Sequence, residues 1–165
     1  MNKSQKLEKF ATKEIKNLQN TMIVPDGQGG YTAFGKYKIT PKKEYVVVQV
    51  KNNETLRFGN KRTAMSWCVA DKLKKYDLAY NILMLDNKRE SLASDIHCRQ
   101  QLANKSRSED FYEFVNTKVQ RKIDYINMLD TELEKCLISA KYWQLKGFAN
   151  ETARTGRNHA IKTNF

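Results

Sequence analysis

Three cysteines, two histidines and two prolines are all that this chain of 165 residues holds of the types that crosslink, ligate and break folds. Cys68, Cys98 and Cys136 are odd in number and far apart within helical patterns, which excludes a disulfide framework and points to reduced, buried thiols. His97 is followed by Cys98, so the two side chains diverge by about 100° on a helix, and no second ligand lies three or four residues away. His159 stands alone in the C-terminal tail, so no metal and no cofactor is expected. Long apolar runs are absent too: Val46–Val48 and Ile82–Leu85 are far too short to span a bilayer, and the charged start MNKSQKLEKF does not resemble a signal peptide. The expected setting is the cytoplasm, with no membrane partner.

Acidic residues are also scarce, 18 against 30 Lys and Arg, for a net charge of +12. The excess is local. Tyr31–Asp77 holds 11 basic and 4 acidic residues, whereas residues 78–146 hold 11 and 10. A polyanion is therefore expected to meet the first block.

The periodicities predict an α+β fold. Residues 1–24 form an N-terminal amphipathic helix, centred on 4–20, in which Leu7, Phe10, Ala11, Ile15 and Leu18 recur at helical spacing beside Lys3, Lys6, Lys9, Lys13 and Lys16, with Ser4 as a cap. Residues 25–30, from Pro25 through Asp26-Gly27-Gln28-Gly29-Gly30, read as a linker. Residues 31–77 form a small basic unit: a three-stranded antiparallel sheet (Tyr31–Ile39, Tyr45–Lys51, Thr55–Phe58) and the start of a helix capped by Asn60. Val46, Val48, Val50, Leu56 and Phe58 share one sheet face; Tyr45, Val47, Gln49, Lys51, Thr55 and Arg57 share the other.

From Lys61 to about Asn104 the chain contains neither Gly nor Pro, which predicts one continuous helix. Beyond Asp77, heptads appear: Leu78, Ile82, Leu85, Arg89, Leu92, Ile96, Arg99 and Ala103. After the break at Asn104–Ser108, with Ser106 or Ser108 as the next cap, Val115, Lys122, Leu129, Cys136 and Trp143 fall at sevens, as do Val119, Ile126, Leu133, Ala140 and Gly147. Residues 78–146 thus read as a long antiparallel helical hairpin ended by Gly147, and 147–165 as an extended tail.

Enzyme signatures are missing. Gly30 to Lys36 has the GxxxxGK spacing of a phosphate loop, but Tyr37 stands where Ser or Thr is required and Lys36 falls within a strand pattern. No nucleophile motif is present, and acids such as Asp86, Glu90, Asp130 and Glu134 are spaced like solvated helix faces. No catalytic residue is assigned, and a non-enzymatic protein is expected.

Two features stand above this background. The first is the basic sheet face, Lys36, Lys38, Gln49, Lys51 and Arg57, with Lys61 and Arg62 in the first turn of the following helix. Cations there oppose the macrodipole, a cost of roughly 0.3–1 kcal/mol each that an arriving anion would offset. The competing reading is a solvated face whose lysines discourage edge pairing. The second is the heptad seam, represented by Leu85, Ile96, Ile126, Leu129, Leu133 and Trp143. Arg89, Arg99 and Lys122 interrupt it, either snorkelling at its edge or pairing with acids of a partner.

Residues 35–67, GKYKITPKKEYVVVQVKNNETLRFGNKRTAMSW, resemble small DNA-binding modules with a three-stranded sheet and a helix, such as the AP2 domain and the arm-binding domain of tyrosine-type integrases. The resemblance implies that Lys36, Lys38, Gln49, Lys51 and Arg57 enter a major groove. The segment ELEKCLISAKYWQLKGFANETARTGR, in this Lys/Asn-rich chain, is similar to small proteins of tailed bacteriophages, which implies a host-cell or virion location. The expectation is a protein that binds nucleic acid, DNA before RNA, or an acidic protein surface through its sheet, with the hairpin for oligomerisation or docking. The alternative is a bacteriophage virion or assembly protein that packs against itself or neighbouring subunits through hairpin and arms.

Overall fold

The computed structural model describes residues 2–10, 12 and 22–154, leaving aside the side chains of residue 52 and of 148–154. Its architecture is α+β. A short N-terminal helix (α1, residues 3–10) precedes five strands, β1 Ile23–Pro25, β2 Tyr31–Ala33, β3 Tyr37–Pro41, β4 Val46–Gln49 and β5 Thr55–Phe58. Three helices follow, α2 Lys61–Lys72, α3 Tyr76–Lys105 and α4 Glu109–Arg154. The strands form one antiparallel meander in sequence order.

α1 starts two residues earlier than a cap at Ser4 would allow. Asn2 caps it: the Asn2 side chain accepts the Gln5 N–H at 2.9 Å and the Gln5 side chain accepts the Asn2 N–H at 3.2 Å, a reciprocal capping box. The rest of the predicted 4–20 helix lies outside the described residues, apart from residue 12. β1 occupies the end of the span expected to be helix and linker, so Asp26–Gly30 is a β1–β2 turn. Its Asp26 carboxylate accepts the N–H groups of Gln28 (2.8 Å) and Gly30 (3.0 Å).

Five strands replace the expected three because β1 is added in front and Tyr31–Ile39 is two strands. Phe34 (φ 56°) and Gly35 (φ 67°) turn the chain, and the Lys36 N–H donates to the Ala33 carbonyl at 3.0 Å. An aromatic residue at positive φ carries no turn signature. Phe34 accepts the conformation because its ring is buried in the core. Below this point the period-two reading holds: Val46, Val48 and Phe58 are buried, Leu56 packs against them, and Thr55 and Arg57 face solvent.

The predicted continuous helix is broken after α2. Lys74 takes φ 60°, the Lys75 N–H donates to the Ala70 carbonyl (2.8 Å) and the Lys74 N–H to the Asp71 carbonyl (3.1 Å). This is a Schellman cap with lysine at the position glycine normally holds, so composition gave no warning. At the other end Asn60 caps α2 as expected, accepting the Thr63 N–H at 2.9 Å. Ser108, rather than Ser106, caps α4 through the Phe111 N–H.

Gly147 does not end α4, which runs on to Arg154, so the expected extended tail begins as helix; residues 155–165 lie outside the described residues. Glycine at 147 allows a close approach instead. A Cβ there would stand 2.8 Å from Leu73 Cδ2, at the cap of α2, and that side chain would have to shift. The heptad that contains Gly147 is thus a packing seam to its last member.

One core joins sheet, α2 and the near half of the hairpin. Tyr37, Ile39, Val48 and Phe58 pack on α2, whose other sides meet Ala79 and Ile82 of α3 and Leu133, Leu137 and Ala140 of α4. The far half of the hairpin holds a smaller cluster of Ile96, Ala103, Val115 and Val119.

A non-glycine residue in the left-handed region costs about 1 kcal/mol or more. Lys74→Gly is therefore expected to raise the unfolding free energy by about 1 kcal/mol, read as a higher urea midpoint at unchanged slope.

Candidate nucleic-acid interface

Alternation along the meander leaves one sheet face uncovered by any of the described helices. Its cross-strand rows follow from the register: Val24, Thr32, Lys38, Gln49 and Thr55 lie side by side across all five strands, and Thr40, Val47 and Arg57 across β3, β4 and β5. With strands about 4.8 Å apart, β3–β5 span roughly 10 Å, comparable with a DNA major groove of about 12 Å.

Lys38, Gln49 and Arg57 are brought together on this face. Arg57 holds its guanidinium 3.8 Å from the centroid of the Tyr45 ring, and Gln49 Nε2 donates to Asn53 Oδ1 at 3.1 Å. Lys51 stands at the rim, in a single 3₁₀ turn (Lys51–Asn53) rather than in the strand it was expected to end. Lys42 and Lys43, which the sequence reading did not single out, are exposed in the β3–β4 turn beside Glu44, and Glu54 marks the β4–β5 turn.

Three predicted residues are elsewhere. Lys36 sits in the β2–β3 turn and reaches the helix side of the sheet, 3.8 Å from Asp71, whose carboxylate also accepts the Tyr37 hydroxyl. Lys61 donates to the Tyr31 hydroxyl at 2.8 Å and lies 4.1 Å from that ring's centroid. Arg62 forks onto Glu134 of α4 at 2.6 and 2.8 Å, and holds that carboxyl below the usual range. Of the two cations at the start of α2, Arg62 is thus offset by an acid of the chain, whereas Lys61 is held by a neutral hydroxyl and ring.

The same holds along the hairpin. Arg89 pairs with Asp130 (2.5 Å) and Glu90 (3.1 Å), and Asp95 takes both Arg99 (3.1 Å) and Lys122 (2.6 Å). These seam interruptions answer acids of their own hairpin. The seam is likewise spent within the chain: Ile96, Leu129 and Leu133 are buried, while Leu85, Ile126 and Trp143 are half-buried. By contrast Lys38, Lys42, Lys43 and Lys51 form no ion pair among the described residues, and Arg57 has its ring contact alone. Lys38 lies close enough to Asp26 to contribute to that carboxyl's lowered pKa, behind the backbone N–H of Gln28.

A second constellation went unseen in the sequence. A cleft of about 370 Å³ opens between the start of α2, α3 and α4, lined by Asn60, Arg62, Asp86, Arg89, Glu90, Asp130 and Glu134. Asp86, expected on a solvated face, is 2% exposed, and both its oxygens approach the Gly59 N–H at 3.2 Å. Burial pushes its carboxyl up to about 6, with Glu90 adding to the shift and the Gly59 N–H and Arg89 opposing it. Gly59 leaves no room for a side chain, since a Cβ would collide with the Glu90 carboxylate. The signal was present: Asp86 follows Ile82 by four residues and precedes Arg89 by three, on the inward face of α3.

Among the described residues no group of three or more His, Cys, Asp or Glu side chains is placed to hold a metal ion. His97 is exposed and bonded to Gln101, and His159 lies outside the described residues. The GxxxxGK run spans a strand and a hairpin turn rather than a helix N-terminus. No described helix is long and apolar enough to cross a membrane. No family model, curated protein or solved structure matches the chain.

Because Asp86 keeps its proton in the folded state up to about pH 6, against 3.8 ordinarily, its contribution to stability is fully present below about pH 4 and lost as pH rises through 6. Asp86→Asn retains an acceptor for the Gly59 N–H without the charge. Its urea midpoint should equal that of the parent near pH 4 and exceed it increasingly towards pH 8, by at most about 3 kcal/mol in stability.

Proposed function

We propose that this protein binds double-stranded nucleic acid, DNA ahead of RNA, through the open face and rim of its sheet, chiefly by phosphate contacts. One observation carries the reading: among the described residues Lys38, Lys42, Lys43, Lys51 and Arg57 of this face and its rim form no ion pair, while Arg62, Arg89, Arg99 and Lys122, at the cleft and along the hairpin seam, are matched with acids of the chain. Unmatched cations beside a flat face of Thr, Val and Gln side chains suit a phosphate backbone, which rewards charge without demanding base-specific geometry. Gln49 and Arg57, central in the rows, are the side chains suited to reach base edges. The protein acts by binding, and the hairpin supplies docking.

A second reading, a virion or assembly protein, is favoured by the far end of the hairpin. Leu102, Phe111 and Phe114 are exposed there around the α3–α4 turn, over a core of four buried residues.

Fluorescence anisotropy with a labelled duplex at several salt concentrations tests the first reading. Affinity should fall steeply with salt. In the Lys38→Ala/Lys51→Ala/Arg57→Ala variant it should drop at least tenfold, with the log–log salt slope shallower by roughly 2–3. Binding that is absent, or that ignores both salt and the substitutions, overturns it.

A further inference from the structure

We propose that a second surface of this protein, at the turn between α2 and α3, binds single-stranded nucleic acid independently of the sheet face. The turn carries Lys72, Lys74 and Lys75, and the Schellman cap that breaks the helix holds them in one short bend. The packing of Leu73 over Gly147 brings α4 to the same place. There Lys75 Nζ lies 3.7 Å from the centroid of the Trp143 ring and Lys146 Nζ 5.3 Å from it, so two ammonium groups share one indole. Tyr142 meets Trp143 edge-on, with centroids 5.3 Å apart. Lys72, Lys74, Lys75 and Lys146 form no ion pair among the described residues. Of the nearby acids, Asp71 is engaged by Tyr37 and Lys36, and Asp77 belongs to the first turn of α3.

The aromatic side chains decide the class of ligand. Tyr76 is 62% exposed and offers its ring beside the lysines, and Tyr142 is 55% exposed with Lys146 Nζ 5.8 Å from its ring centroid, farther than Arg57 stands from Tyr45. Unstacked bases meet such rings, and a flexible strand can follow a bend of lysines with its phosphates. A duplex keeps its bases stacked on one another and gains nothing from exposed tyrosines. The open sheet face has the opposite character, because its Tyr45 ring is already covered by Arg57. A lipid surface would need apolar side chains free to enter it, whereas Trp143 is clamped under Lys75 and against Tyr142.

The test uses the full chain and a fluorescein-labelled oligothymidylate long enough for one site, about 15 nucleotides. Three proteins are compared: the parent, Lys72→Glu/Lys74→Glu/Lys146→Glu, and Tyr76→Ala/Tyr142→Ala. Lys75 is left in place to keep its packing on Trp143, and circular dichroism melting checks that each variant folds. The parent should bind the single strand, the lysine variant at least tenfold more weakly, and the tyrosine variant more weakly for single strand with duplex affinity unchanged. The Lys38→Ala/Lys51→Ala/Arg57→Ala variant should keep its single-strand affinity within about twofold. If the parent binds single strand but no duplex, the sheet reading fails and this one stands. Single-strand affinity that is absent, that survives in the lysine variant, or that is lost only with the sheet residues overturns the proposal. So does binding of the patch to phosphatidylglycerol vesicles without binding to oligothymidylate.

Discussion

The burial of α2 on all sides is the constraint on which the rest depends. Every residue from Thr63 to Ala70 is buried. A helix that leaves no stripe to solvent must be enclosed, and here the sheet covers one side while α3 and α4 cover the others. Small side chains at Thr63, Ala64, Ser66, Cys68 and Ala70 let the surrounding layers approach. Trp67 fills the remaining space, with its ring 5.9 Å from those of both Tyr37 and Phe58. Each large buried side chain contributes roughly 1.5–3 kcal/mol of transfer free energy. Among the described residues, the inner face of the sheet is buried chiefly on α2.

This enclosure also governs the charges. Where helix meets helix, cations lie close to low-dielectric surfaces and are matched: Arg62 with Glu134, Arg89 with Asp130, Lys122 with Asp95. Where the chain faces water, at the sheet rim and the α2–α3 bend, lysines remain unmatched because solvent screens them. Among the described residues, two groups of such lysines stand out, one on the sheet face and its rim and one at the α2–α3 bend. They lie in different layers of the fold, since the open sheet face points away from α2 and the bend is at its C-terminal end. Asp86 is the exception to matching. It is buried with a backbone N–H as its donor, at the mouth of a cleft ringed by charge, and its raised pKa measures that imbalance.

Much of this was legible in advance. Period-two alternation in 45–58 assigned the inner and outer sheet faces, Asn60 announced α2, and heptads through Val119, Ile126, Leu133 and Ala140 announced the hairpin. The failures have identifiable causes. Phe34 and Lys74 adopt left-handed conformations that neither residue type signals, so a strand and a helix were each read through a turn. Gly147 has the composition of a helix stop but lies within α4, where Leu73 packs closely over it. Lys36 and Arg62 were assigned to an anion site by local position, but Asp71 and Glu134, distant in sequence, claim them.

The sequence by itself determined the α+β class, the inward faces of β4, β5 and the hairpin helices, and the region where positive charge accumulates, because these depend on spacing along a short stretch of chain. Only the tertiary structure decided where helices break without glycine, which acid is buried, and which cations are left without partners. The pairing of acids and cations turns on contacts between residues far apart in sequence, such as Tyr37 with Asp71, 34 positions apart, and Arg62 with Glu134, 72 apart, and such contacts exist only once α2 is enclosed.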